Sequence, residues 1–156
     1  MSKSIDPTVL GEWSVRSGET LRRFDRKDEL FACISELVST QALGRIDVNE
    51  DVGGRSWVSR FVFGLNPRFL LMHFAVEWSG AVASLIFFDD AASEYRAKDK
   101  KRPVQADDAT RTAIAHGESS PHPAEQCIAL DRALLAIDEY LKSGTRPAWL
   151  EYDYVA

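Results

Sequence analysis

The sequence predicts an α+β domain: an antiparallel β-meander of about four to five strands, packed against an N-terminal helix and a longer C-terminal helix. Three observations carry that expectation. Apolar residues recur at helical spacing near both ends of the chain. Alternating or continuous apolar runs fill the middle, and turn residues separate those runs.

Residues 1–24 pattern irregularly, with Pro7, Gly11 and Gly18 as breakers and with Trp13 and Phe24 available to the core. The first helix is expected over residues 26–39. Asp25 suits its N-cap, and Asp28 lies in the first turn, where the helix dipole favours an acid. Leu30, Ile34, Leu37 and Val38, with Phe31, fall on one face, and Gly44 helps to end the segment.

Residues 57–63 alternate as a strand, and Leu65-Asn66-Pro67-Arg68 is a turn signal. Residues 69–78 form the next strand, and Ser79-Gly80 offers a tight hairpin connection. The third, residues 81–88, is nearly all apolar, which predicts a central strand covered on both faces. Asp89-Asp90 turns the chain, and residues 93–97 read as a further, more polar strand. Residues 98–120 form a long loop with at most a short helix near residues 109–115.

The last helix is expected to start near His122-Pro123 and to run through residues 124–141. Cys127, Leu130, Leu134, Ile137 and Leu141 make a stripe that would face the sheet; at this length it reads as core rather than coiled coil. Gly144 stops the helix, Pro147 prevents its continuation, and residues 149–154 close the chain as a strand. There is no repeat or linker, so residues 1–156 read as one domain.

The formal charge is 19 − 24 = −5. An acidic balance argues against nucleic acid as a direct ligand, because such binding needs clustered Lys and Arg. Residues 98–102 form the one basic cluster, and Asp99 interrupts it. Cys33 and Cys127 both fall on the apolar faces of predicted helices. They read as buried thiols of a reducing compartment, with an oxidised pair as the alternative. The first residues lack the apolar core of a signal peptide, and no run of about 18 apolar residues occurs. A cytoplasmic protein that does not engage a membrane is expected, a monomer or weak homodimer when free.

No set of reactive groups converges in the sequence, and no catalytic residue, metal or cofactor is expected. His73 lies mid-strand and reads as a histidine hydrogen-bonded at the sheet surface. His116, His122 and Cys127 lack the short ligand spacing of zinc sites. Val52-Gly53-Gly54-Arg55 lacks the lysine and following helix of a phosphate loop. Asp89, Asp90 and Glu94 could serve acid–base chemistry or a hard cation, but a turn favours Asp for local reasons. The terminal strand would place Trp149, Glu151 and Asp153 on one face and Leu150, Tyr152 and Tyr154 on the other. An aromatic anchor among acids suits a protein-binding surface, and an acid-protected edge strand would look the same. The candidate partner-binding residues are therefore Asp89, Asp90, Glu94, Trp149, Glu151 and Asp153.

Three pieces together resemble immunity protein family 1, bacterial proteins paired with polymorphic toxins that often carry deaminase-type domains. The first is Glu139-Tyr-Leu-Lys-Ser-Gly-Thr-Arg-Pro followed by Trp149-Leu-Glu-Tyr. The second is the apolar strand at residues 81–88 running into Asp89-Asp90. The third is the early helix at residues 26–39, so that the likeness spans roughly residues 25–154. The resemblance implies a non-enzymatic inhibitor that binds a cognate toxin domain and covers its active site. A chaperone or adaptor for a secreted effector is the alternative, and a small-molecule enzyme built around His73, Asp89 and Asp90 is a third reading.

Overall fold

The computed structural model describes residues 12–51, 70–89, 93–115 and 120–155. The predicted strand at residues 57–63, the turn after it and the two-glycine turn before it lie outside them.

The chain opens with a hairpin, β1 (Glu12–Ser17) and β2 (Thr20–Phe24), turned at Gly18 with φ +60°. Residues 12–24, for which the sequence allowed a strand or a loop, are thus a strand pair. Trp13 and Val15 point into the core and Phe24 packs against it. Helix α1 (Lys27–Thr40) buries Leu30, Cys33, Ile34 and Val38. Arg26, not Asp25, is its N-cap, and no side chain caps it; Arg26 pairs instead with Asp28 at 2.8 Å. The helix ends at Gln41, whose N–H donates to Leu37. Gly44 has a different task, inside strand β3 (Leu43–Asp51). A Cβ there would strike the benzo ring of Trp78, so glycine alone lets the strand pass over that side chain.

Strand β4 (Leu70–Ser79) pairs with β3, and the Gly80-Ala81 turn leads to β5 (Val82–Phe88). The neighbour of β4 opposite β5 is therefore β3, a strand that the sequence did not predict. Strand β5 is central as expected, with residues 83–87 all buried. Strand β6 (Glu94–Lys98), helix α2 (Asp108–Ile114), helix α3 (Leu130–Ser143) and strand β8 (Glu151–Val155) follow, with the two-residue strand β7 (Ile128–Ala129) immediately before α3. The sheet is antiparallel, eight-stranded among the described residues rather than four to five, and ordered β2-β1-β3-β4-β5-β6-β8 with β7 also on β5.

The last helix begins later than its stripe implied. Pro123 opens a single 3-10 turn, Ala124–Gln126; Cys127 then runs extended and buried, and Ile128 pairs with Ala83 of β5. Two apolar residues suit a short buried strand as well as a helix face, and periodicity does not separate the cases. Within α3 the buried stripe is Ala133, Ala136, Ile137, Tyr140 and Leu141, with Leu130 and Leu134 partly covered. Gly144 at φ +75° stops the helix as expected.

Helices α1 and α3 cover one sheet face over a core that includes Val15, Ile46, Val48, Phe74, Trp78 and Phe87. Alternation along β5 sends Ser84 to the opposite face, where its hydroxyl meets His122 at 2.9 Å; α2 lies against β3, β4 and β5, with Ile114 buried. Cys33 and Cys127 are buried free thiols, and burial pushes the Cys127 thiol up.

Candidate binding surface at the β6–β8 edge

The register of β6 on β8 sorts the candidate residues onto two faces. Tyr95 stands opposite Tyr154 and Ala97 opposite Tyr152; between these pairs, Arg96 faces Asp153 and Lys98 faces Glu151. Aromatic side chains thus occupy the helix side of this edge and charges the other side.

The charged side is self-neutralising. Lys98 Nζ lies 2.7 Å from Asp153, whose other oxygen accepts from Gln126 at 3.1 Å. The hydrogen bond from Lys98, then that from Gln126, holds the Asp153 carboxyl below its ordinary range. Lys100 reaches Glu151 at 2.7 Å, and Arg96 reaches Glu94 at 3.3 Å. Opposite charges across a strand pair stabilise the sheet edge. Asp89 accepts from the Ser93 backbone N–H at 3.0 Å and from the Tyr95 hydroxyl at 3.3 Å, so it anchors the turn into β6. Asp90 lies outside the described residues.

Trp149 does not share the face of Glu151 and Asp153, because β8 begins only at Glu151. Its indole N–H donates to Glu139 at 2.6 Å, and the Arg132 guanidinium sits 4.2 Å above its ring. Arg132 is itself held by Asp99 at 2.8 Å, with the Asp99 side chain fully enclosed. Trp149 therefore staples α3 to the start of the last strand and packs against the core.

The aromatic side was not anticipated as a site. After Gly144 the chain places Arg146 across the Tyr95 ring, 3.5 Å from its centroid, and 5.2 Å from that of Tyr152. The Tyr152 hydroxyl donates to the Pro147 carbonyl at 2.8 Å, and burial pushes that phenol well above its ordinary range. Tyr154 lies 5.3 Å from Tyr95, is 59% exposed, and meets the Ser93 hydroxyl at 3.2 Å. The sequence signal was the Gly-x-Arg-Pro turn; the role of its arginine depends on a ring distant in the chain.

His73 is not at the sheet surface. The register passes from Val48↔Phe74 to Asn49↔Met72, which leaves His73 at a β-bulge. There it stacks on Trp13 at 4.1 Å and bridges Tyr140 at 2.7 Å and Glu50 at 3.0 Å. Nothing in the sequence marked Glu50 or Tyr140 as its partners. His122 bonds Ser84, and His116 lies outside the described residues. Among the described residues no three of His, Cys, Asp and Glu are grouped to hold a metal, and no helix is long and apolar enough to cross a membrane.

A two-faced antiparallel sheet backed by helices, with an aromatic and arginine edge, defines an α+β domain. The family model for immunity protein Imm1 matches residues 22–152, most of the chain, and the protein belongs to that family. No curated protein and no solved structure matches the chain.

Proposed function

We propose that this protein binds and neutralises a cognate bacterial toxin, a deaminase or another nucleic-acid-targeting domain, by occluding its active site. The family match over residues 22–152 carries the reading. The protein acts in the cytoplasm as a single domain, monomeric or weakly dimeric when free, and binds without performing catalysis. Its contact surface includes Glu94, Glu151 and Asp153 at the β6–β8 edge, with Asp89, Asp90 and Trp149 as the further contact residues. The net charge of −5 supports a basic target groove, since opposite fields speed encounter.

The test is a pull-down of the tagged protein from its native host with a high-salt wash, followed by co-expression. A stoichiometric partner ending in a small toxic domain, harmless when co-expressed, is the expected result. A retained effector that stays active would replace inhibition by an adaptor role. Nothing retained from cells expressing the neighbouring genes would overturn the reading.

A further inference from the structure

We infer that the toxin docks by adding an extended segment to the open edge of β8, with a carboxylate of that segment set on Arg146; this rests on the toxin-binding reading above. Strand β8 pairs with β6 alone among the described residues, so its other edge presents unpaired backbone N–H and C=O groups. Proteins blunt such edges with charged side chains, lysine above all, or with proline and bulges. At the opposite end of the sheet β2 carries two exposed cations, Arg22 and Arg23, the latter 3.8 Å from Glu12. Strand β8 has neither lysine nor proline, and its two acids are already neutralised by Lys98 and Lys100. Its final two described residues, Tyr154 and Val155, are exposed apolar surface.

Charge selects the occupant. Arg146 is exposed, its guanidinium carbon lies 3.5 Å from the centre of the Tyr95 ring, and it has no carboxylate partner among the described residues. A guanidinium fixed on a ring is preorganised for a bidentate carboxylate. Tyr154, 5.3 Å from the same Tyr95 ring, offers the rigid aromatic contact that dominates protein interfaces. A segment added along β8 would set alternate side chains on the two faces. Those on the helix side meet Tyr152, Tyr154 and Arg146; those on the other side meet Glu151 and Asp153. A second copy of this chain fits poorly, because antiparallel self-addition along β8 would bring only Glu151 and Asp153, which already pair with Lys100 and Lys98 and so leave no free carboxylate for Arg146.

The experiment uses the full chain and the captured toxin domain, inactivated for handling. Hydrogen exchange is followed at residues 151–155 with and without toxin, and affinity is measured for Tyr154→Ala, Arg146→Lys and Arg146→Glu. Binding should slow exchange along β8 at least about tenfold, and Tyr154→Ala should weaken affinity about tenfold or more. Arg146→Lys should lose less than Arg146→Glu, with thermal unfolding confirming that each variant is folded. If the wild type binds while β8 exchange and all three affinities stay unchanged, docking lies elsewhere and the immunity reading stands. If the wild type binds no toxin, both readings fall. If the chain alone dimerises and protects β8, the edge belongs to a second copy and the inference is overturned.

Discussion

Arg146 rests its guanidinium carbon 3.5 Å from the centre of the Tyr95 ring, joining the turn after α3 to a strand far back in the chain. Gly144 provides the left-handed stop, Pro147 provides the carbonyl that receives Tyr152, and Arg146 between them fills the gap above two rings. The turn is thus one mechanical unit. It fixes the angle at which β8 leaves the helix and so the position of the open edge.

Replacing Arg146 by alanine should cost about 0.5–1 kcal/mol, the range for a partly exposed cation over an aromatic ring. Urea unfolding measures it, and the Arg146→Lys variant should recover part of the loss. Equal stability of Arg146→Ala and the wild type would mean that the stacking contributes nothing and that Gly144 and Pro147 alone set the turn.

Gly44→Ala should be more damaging than its exposure suggests. The added methyl meets the ring of Trp78, which is fully buried and fixed by its N–H bond to the Gln41 carbonyl at 2.8 Å. Overpacking of this kind costs about 1–3 kcal/mol. A thermal melt close to that of the wild type would show that β3 can lift away from the indole.

The same two residues show where sequence reasoning stopped. Gly44 looked like a helix terminator because it follows α1, and its close approach to Trp78 exists only once β3 pairs with β4. Strand β3 stayed hidden for a related reason. Its inward series is Ile46, Val48 and Glu50, so the third position is a carboxylate where the pattern demands an apolar residue. Glu50 belongs there because His73 bulges out to meet it. Helix α1, the pair β4–β5, strand β6 and the stop at Gly144 were legible because each is set by local spacing or one turn residue. The β6–β8 edge was half legible. Glu94, Glu151 and Asp153 do gather there, but strand register supplies each with a cation, and no local pattern reveals register.

Tyr140 offers a test of the buried polar cluster. Tyr140→Phe keeps the edge contact with Phe74 and the packing on Phe87, and removes the 2.7 Å bond to His73. The cost should be about 1–2 kcal/mol. Tyr140→Ala removes the ring as well and should cost about 3–5 kcal/mol. Chemical unfolding of both separates the hydrogen bond from the packing; equal losses would mean that the hydroxyl contributes through the ring's position alone.

Acid should unfold the protein partly through Asp99. Burial alone would raise its carboxyl, but Arg132, with the backbone amides of Lys101 and Arg102, outweighs burial and holds it below the ordinary range. A folded-state value below the unfolded value of about 3.9 means that the native state binds fewer protons than the unfolded state as pH falls. The stabilisation is therefore complete above about pH 4 and is lost as pH drops through the folded value. Asp28, Asp107 and Asp153 shift in the same direction and steepen the loss. Asp99→Asn should lower stability at neutral pH, because the amide no longer offsets the charge of Arg132. It should also flatten the decline below about pH 4, since one linked proton is gone. Unfolding free energies of both proteins across that range decide the matter. Parallel curves would show that Asp99 titrates alike in the folded and unfolded chains, and would remove its ion pair with Arg132 from the account of stability.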